Sequence, residues 1–265
     1  ARGLTGRPSP HFVPQVRHPD LQLASAGGTG RTWVAARALS AGTCLLVEQP
    51  ACSVLDRELQ AYAWWDGDGA DTCALFIAWM DAFLREQREG GAPSLWDVTR
   101  CLHPANAAAG PSSEEEWGEL AANLPDEAGA LLARIRALAT PARPDLPLVW
   151  RSLQLNSLGA YTHPEHQGGA YEGHWRPLTS TGVYPLAAIG FNHSCRPNTL
   201  RTCAGPLMLF RAARAVARGE ALSISYIGHD ALMEPRGARL GDGEGGLGGR
   251  DFVCGCTTCE AEAAA

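Results

Sequence analysis

The sequence predicts an α+β fold: a β-rich module of short strands, interrupted by a helical insertion and closed by a cysteine-rich tail. Three observations carry this. Short apolar and β-branched runs bounded by Gly and Pro lie toward both ends of the chain, and the stretch from about residue 59 to 150 turns to Ala, Leu, Glu and Arg. Three cysteines then crowd into Cys254-Gly-Cys256-Thr-Thr-Cys259. The 265 residues are 45% hydrophobic and 19% charged, a globular composition that excludes bulk disorder and is long enough to bury a core.

Residues 1–27 are taken as an N-terminal extension. The first strands are Arg31–Ala35 and Thr43–Glu48, separated by a turn at Ser40-Ala-Gly42. From Asp71 to Glu89, Leu75, Ile77, Ala78, Trp79, Ala82 and Phe83 recur at helical spacing. Ser113 followed by Glu116 is a capping-box pattern for a helix to about Leu124. Past Pro125 a helix is predicted over Asp126–Ala139, with Leu131, Leu132, Ile135 and Leu138 on one side. Pro141–Pro147 is a connector and Leu148–Ser157 a further short helix. After Gly159 strand and turn texture returns: Tyr184–Ile189 leads into the polar run Asn192–Asn198, and Leu207–Phe210 and Ala221–Tyr226 are strands. The glycine-dense stretch Gly237–Gly249 is predicted as a flexible loop. No internal repeat is evident.

The longest apolar run, near Cys73–Met80, is too short to cross a bilayer and meets Asp81, so no membrane span is predicted. All 22 basic residues are Arg. Residues 56–150 hold 16 acids against 7 arginines, net −9, within a total of −6. This balance suits a basic peptide partner better than a phosphate backbone, although a solvated helical surface explains it equally well. Nucleic-acid binding is not expected. Nine cysteines are too unevenly placed for a small disulfide scaffold. The terminal three point to tetrahedral zinc in a reducing, intracellular compartment, with a fourth ligand from Cys195, Cys203 or His193.

Asn192-His-Ser-Cys-Arg-Pro-Asn198 is the most informative segment, because polar groups this dense after an apolar run must bond one another or a ligand. Together with Gly219-Glu-Ala-Leu-Ser-Ile-Ser-Tyr226 and the cysteine tail, it resembles the SET-domain protein lysine methyltransferases, in particular their SMYD branch. Gly30–Arg37, Leu39, Ala41-Gly42 and Glu48-Gln-Pro50 are similar to that branch's N-terminal half. Four motifs thus fall in family order. The resemblance implies a SET domain over 28–228 with a knotted C-terminal part, split by a helical insertion at 56–150, and a post-SET zinc-binding tail at 229–262.

It also implies S-adenosylmethionine as methyl donor, a lysine amine of a protein as acceptor (a histone tail or another protein), and a nuclear or cytoplasmic location. Gly30, Arg31 and Trp33 would line the donor as a loop, and Asn156 would contact its amino-acid end. Asn192 and His193 would hold its ammonium and adenine, largely through backbone groups. Tyr226 would be the tyrosine of the catalytic centre, with Asn192 and His193 beside it, and Phe252 would pack on the adenine or wall the lysine channel. Cys195 would join Cys254, Cys256 and Cys259 around a structural Zn2+. A monomer is favoured.

Three positions depart from the pattern. Thr32 stands for a second glycine, Leu158 for an aromatic after Asn156-Ser157, and Arg250 for a tyrosine two residues before Phe252. Residues 56–70 hold no Cys or His, so the MYND zinc finger of typical members has no counterpart there, and the family's C-terminal helical domain is expected to be lacking. These departures support an alternative: a catalytically impaired SET-like module that binds a basic protein partner. His163, His166 and His174 form a loose group better explained as an exposed loop than as a metal site, and Trp64-Trp65 is a packing or docking feature.

Overall fold

The computed structural model describes residues 14–25, 30–55, 70–89, 95–102, 118, 122, 126–139, 143–161, 179–204, 207–241, 246–248, 250 and 252–264. The helix expected from Ser113 lies outside these apart from helical Gly118 and Ala122. So do Trp64, Trp65, His163, His166 and His174. In chain order the first elements are β1 (Val16–Arg17), β2 (Leu21–Ser25), β3 (Arg31–Ala35), β4 (Cys44–Glu48) and β5 (Cys52–Leu55). The helical part follows as α1 (Ala70–Glu89), α2 (Leu95–Arg100), α3 (Asp126–Arg136) and α4 (Leu146–Asn156). Then come β6 (Ser157–Tyr161), β7 (Thr179–Val183), α5 (Pro185–Ala188), β8 (Asn192–His193), β9 (Thr199–Ala204), β10 (Leu207–Ala212) and β11 (Ser223–Ile224). Three short helices close the chain: α6 (His229–Leu232), α7 (Arg236–Leu240) and α8 (Thr257–Ala264). Among the described residues no helix is long and apolar enough to cross a membrane.

The chain divides into two compact units. One is built mainly from Glu48–Ile189. Of the stripe anticipated on α1, Leu75, Trp79 and Phe83 are almost wholly enclosed, Ile77, Ala78 and Ala82 are half-buried, and Phe76, outside that stripe, is buried as well. Trp79 stacks on Phe83 at 5.1 Å between ring centroids, and its Nε1–H donates to Thr99 Oγ1 at 2.9 Å. Asp145 caps α4 by accepting from Leu148 N–H, and Pro147 sits in the first turn, where its missing N–H has no bond to lose. The sheet of this unit runs β5-β7-β6, antiparallel throughout.

The apolar run Tyr184–Ile189 forms a helical turn, α5, where strand texture was expected. Pro185 presets its φ, and Glu48 accepts from Leu186 N–H at 2.6 Å and Ala187 N–H at 3.0 Å. Burial raises the Glu48 carboxyl to about 8, against the pull of those two amides. A folded pKa above the unfolded 4.5 means that folding takes up a proton, so this group's stabilisation is full below about 4.5 and lost as pH climbs to about 8. The expected result is an unfolding free energy that falls between pH 5 and 8 relative to Glu48→Gln, at most about 1.4 kcal/mol per pH unit. Urea titrations of both proteins test it; parallel pH profiles would refute it.

The second unit spans Val16–Val47, Gly190–Thr202 and Leu209 to the C-terminus. Strand β2, within the stretch taken as an extension, forms a hairpin with β3 in the register Leu23↔Trp33. A second sheet has the order β1-β4-β10-β9, and β8 pairs with β11 in parallel, Asn192 opposite Ser223 and His193 opposite Ile224. A short repeat emerges that the sequence reading missed. Ala35-Ala-Arg-Ala-Leu-Ser-Ala-Gly42 and Ala212-Ala-Arg-Ala-Val-Ala-Arg-Gly219 make the same turn, with Gly42 and Gly219 at φ 80° and 81°. They bond reciprocally: Gly42 N–H to Ala212 O, Gly219 N–H to Ala35 O, and Leu39 and Val216 to each other in both directions. A left-handed residue is required at each turn, which selects glycine.

Gly190 is needed for a different reason. A Cβ there would collide with the Trp33 indole, while Gly190 O accepts from Trp33 N–H at 2.6 Å. The described part of the glycine-dense stretch, residues 237–241 and 246–248, is also more ordered than expected. Residues 236–240 are helical, Leu247 is 2% exposed, and its N–H donates to Arg239 O. One buried leucine and backbone bonding, absent from composition, account for the difference.

Candidate active site

The parallel pair β8–β11 brings the Asn192–Asn198 run against the strand that leads to Tyr226. Asn198 holds the two together: its Nδ2 donates to Glu220 Oε1 and Ala221 O, and its Oδ1 accepts from Ser223 N–H at 2.8 Å. Asn192 Nδ2 donates to Arg31 O at 2.9 Å, tying β3 to the same place. The expected Gly30–Trp33 loop is instead strand from Arg31 onward, with Gly30 at φ 78° ahead of it and Trp33 2% exposed in the core.

His193 has an assignable tautomer. Its Nδ1 lies 3.0 Å from Tyr226 N–H, which can only donate, so Nδ1 accepts and Nε2 carries the hydrogen. Nε2 then donates to Cys195 Sγ at 3.4 Å. Burial first, then the charges of Arg250 and Arg239, push this imidazole down to about 4, so it is neutral at physiological pH. Tyr226 Oη donates to Phe191 O at 2.6 Å, and burial raises its phenol to about 12. His193, Tyr226 and Phe252 form one aromatic group, with centroids 5.4 and 6.2 Å apart and Phe252 41% exposed.

The sulfurs of Cys195, Cys254, Cys256 and Cys259 all lie within 4.8 Å of one another. Cys195 Sγ is 4.0 Å from that of Cys254 and 3.6 Å from that of Cys259. A tetrahedron with zinc–sulfur bonds of about 2.3 Å has edges of about 3.8 Å, so the donor set and its spacing fit one zinc ion. Of the three candidates for the fourth position, Cys195 lies in the group. His193 touches it as a donor, and Cys203 is on β9 outside it.

Sequence reasoning missed Arg239. This residue is 3% exposed on α7 and donates to Cys259 Sγ at 3.6 Å, to both Glu262 carboxylate oxygens at 3.0 Å and to Glu234 O. A buried cation against clustered sulfurs offsets the negative charge that four thiolates bring. Nothing in the spacing of α7 announces this partner. Arg250 was noted only as a departure; its guanidinium carbon lies 4.9 Å from the Tyr226 ring centroid. Asn156 falls in the other unit, 7% exposed at the end of α4, where its Nδ2 donates to Ser152 O.

The SET domain family model matches residues 30–227. The chain belongs to the SET-domain family. It is similar to the mouse protein-lysine N-methyltransferase SMYD4, 34% identical over 85 residues, which cover 31% of this chain and 10% of that protein. The mouse histone-lysine N-methyltransferase SMYD3 is 35% identical over 81 residues, 31% of this chain and 17% of that one. The matched stretches are thus less than a fifth of those relatives' length. Among solved structures, the SET domain of LSMT bound to lysine and AdoHcy matches with a TM-score of 0.39 at 15% identity, covering 80% of this chain and 50% of that one.

Proposed function

We propose that this protein transfers a methyl group from S-adenosylmethionine to the side-chain amine of lysine in a protein substrate. Family membership and the SMYD relatives, named as lysine methyltransferases, support the reading. The observation that carries it is the state of Tyr226. Its proton is held by Phe191 O, so its oxygen presents only lone pairs toward the reacting groups. Such an oxygen orients an amine hydrogen or a polarised methyl without acting as a base.

The donor, when bound, supplies a methyl on a cationic sulfur that an amine lone pair displaces in line. Asn192 and His193 turn their side chains to Arg31 O, Tyr226 N–H and Cys195 Sγ, so their backbone groups would hold the donor. Phe252 offers a half-exposed ring for stacking. Neutral His193, with its Nδ1 engaged by Tyr226 N–H, and protonated Tyr226 do not take the acceptor's proton. Four cysteines would hold a structural zinc that fastens the tail carrying Phe252. The acidic composition of 56–150 favours a basic substrate segment such as a histone tail, and the thiol cluster a reducing compartment, nucleus or cytoplasm.

A cation resting on Tyr226 favours the alternative of an impaired module that binds a basic partner. One experiment separates the two: calorimetric titration with S-adenosylmethionine, followed by methyl transfer to an array of lysine peptides. Binding and transfer are expected. Binding without transfer to any peptide supports the impaired module, and no binding ends the methyltransferase reading.

A further inference from the structure

Arg250 stands where its charge must be felt by anything bound at Tyr226. Its guanidinium covers the ring at 4.9 Å, a cation–π distance. The position is built into the fold. Arg250 N–H donates to Leu247 O at 3.2 Å, Leu247 is buried with Ile227, Cys254 and Cys259, and Leu247 N–H is bonded to Arg239 O. The same charge opposes the burial that raises Tyr226.

We propose that Arg250 is a specificity-determining residue, a resident cation on the Tyr226 ring that makes the site discriminate among ligands by charge. The proposal rests on the donor site argued above. A ligand bearing positive charge there, whether a sulfonium donor or a protonated lysine, meets a like charge. A neutral thioether or a neutral amine does not. The site therefore holds the spent donor more tightly than the fresh one and accepts lysine in its unprotonated form, the form with a lone pair to attack.

The probes are S-adenosylmethionine and S-adenosylhomocysteine, which differ at sulfur by one methyl and one charge. Two like charges within about 10 Å of each other, at an effective dielectric of about 20, repel strongly enough to change affinity by about tenfold. Calorimetry on Arg250→Gln should show S-adenosylmethionine binding about tenfold tighter than to wild type, with S-adenosylhomocysteine within about twofold. Arg250→Lys, which keeps the charge, should match wild type. In the unaltered protein, raising salt should narrow the gap between the two ligands, a readout independent of whether any variant folds. An affinity ratio unmoved by Arg250→Gln and by salt, with both ligands bound, overturns the proposal and leaves the methyltransferase reading standing. Failure of both ligands to bind wild type overturns both.

Discussion

Tyr226→Phe should lower the methyl-transfer rate by about 10²-fold while leaving S-adenosylmethionine affinity within about threefold. The phenol oxygen is fixed by its bond to Phe191 O, and its backbone N–H is fixed by His193 Nδ1, so the oxygen is placed from both ends of the residue. Removing it keeps the ring, its contacts with His193 and Phe252, and hence the surface offered to a donor. What disappears is the lone pair proposed to align methyl and amine, and loss of alignment on the ångström scale costs about 10²-fold. One buried carbonyl also loses its partner, a penalty of about 1–3 kcal/mol that appears in stability. Single-turnover transfer and calorimetry together check this. Unchanged transfer would show that Tyr226 only fills space, and equal loss of binding and rate would make it part of the donor platform.

Much of this site was legible because its chemistry is local in sequence. Asn192–Cys195 and Cys254–Cys259 are compact signatures, and helix α1 announced itself by spacing. What stayed hidden depends on partners distant along the chain. Glu48 looks like the end of a strand until Leu186 and Ala187 are seen to donate to it. Gly190 looks like any turn glycine until Trp33 occupies the space of its missing side chain. The two Ala-Ala-Arg-Ala turns lie some 177 positions apart, and their pairing shows in their reciprocal hydrogen bonds. Arg239 lies in a polar, glycine-rich context that suggests solvent; its burial follows from the charge of the sulfurs, which no local pattern encodes.

That charge argument leads to the second large effect. Cys259→Ser should abolish retention of the metal through gel filtration, whereas the wild-type chain keeps one zinc per chain. Cys259 is 1% exposed and its sulfur touches both Cys195 and Arg239, so serine there removes a soft ligand and leaves a buried guanidinium facing a weaker acceptor. The consequence travels by two routes. Cys195 accepts from His193, whose other nitrogen holds Tyr226, and Cys254 lies two residues from Phe252. Donor affinity should therefore fall with the zinc, by about tenfold or more. Arg239→Met should do the same more mildly, weakening the metal about 10–100-fold, because it removes the compensating charge but no ligand. Zinc stoichiometry, cobalt substitution spectra and S-adenosylmethionine titration read the two effects separately. Full zinc in Cys259→Ser would remove that sulfur from the ligand set, and zinc loss with unaltered donor binding would uncouple the tail from the site around Tyr226.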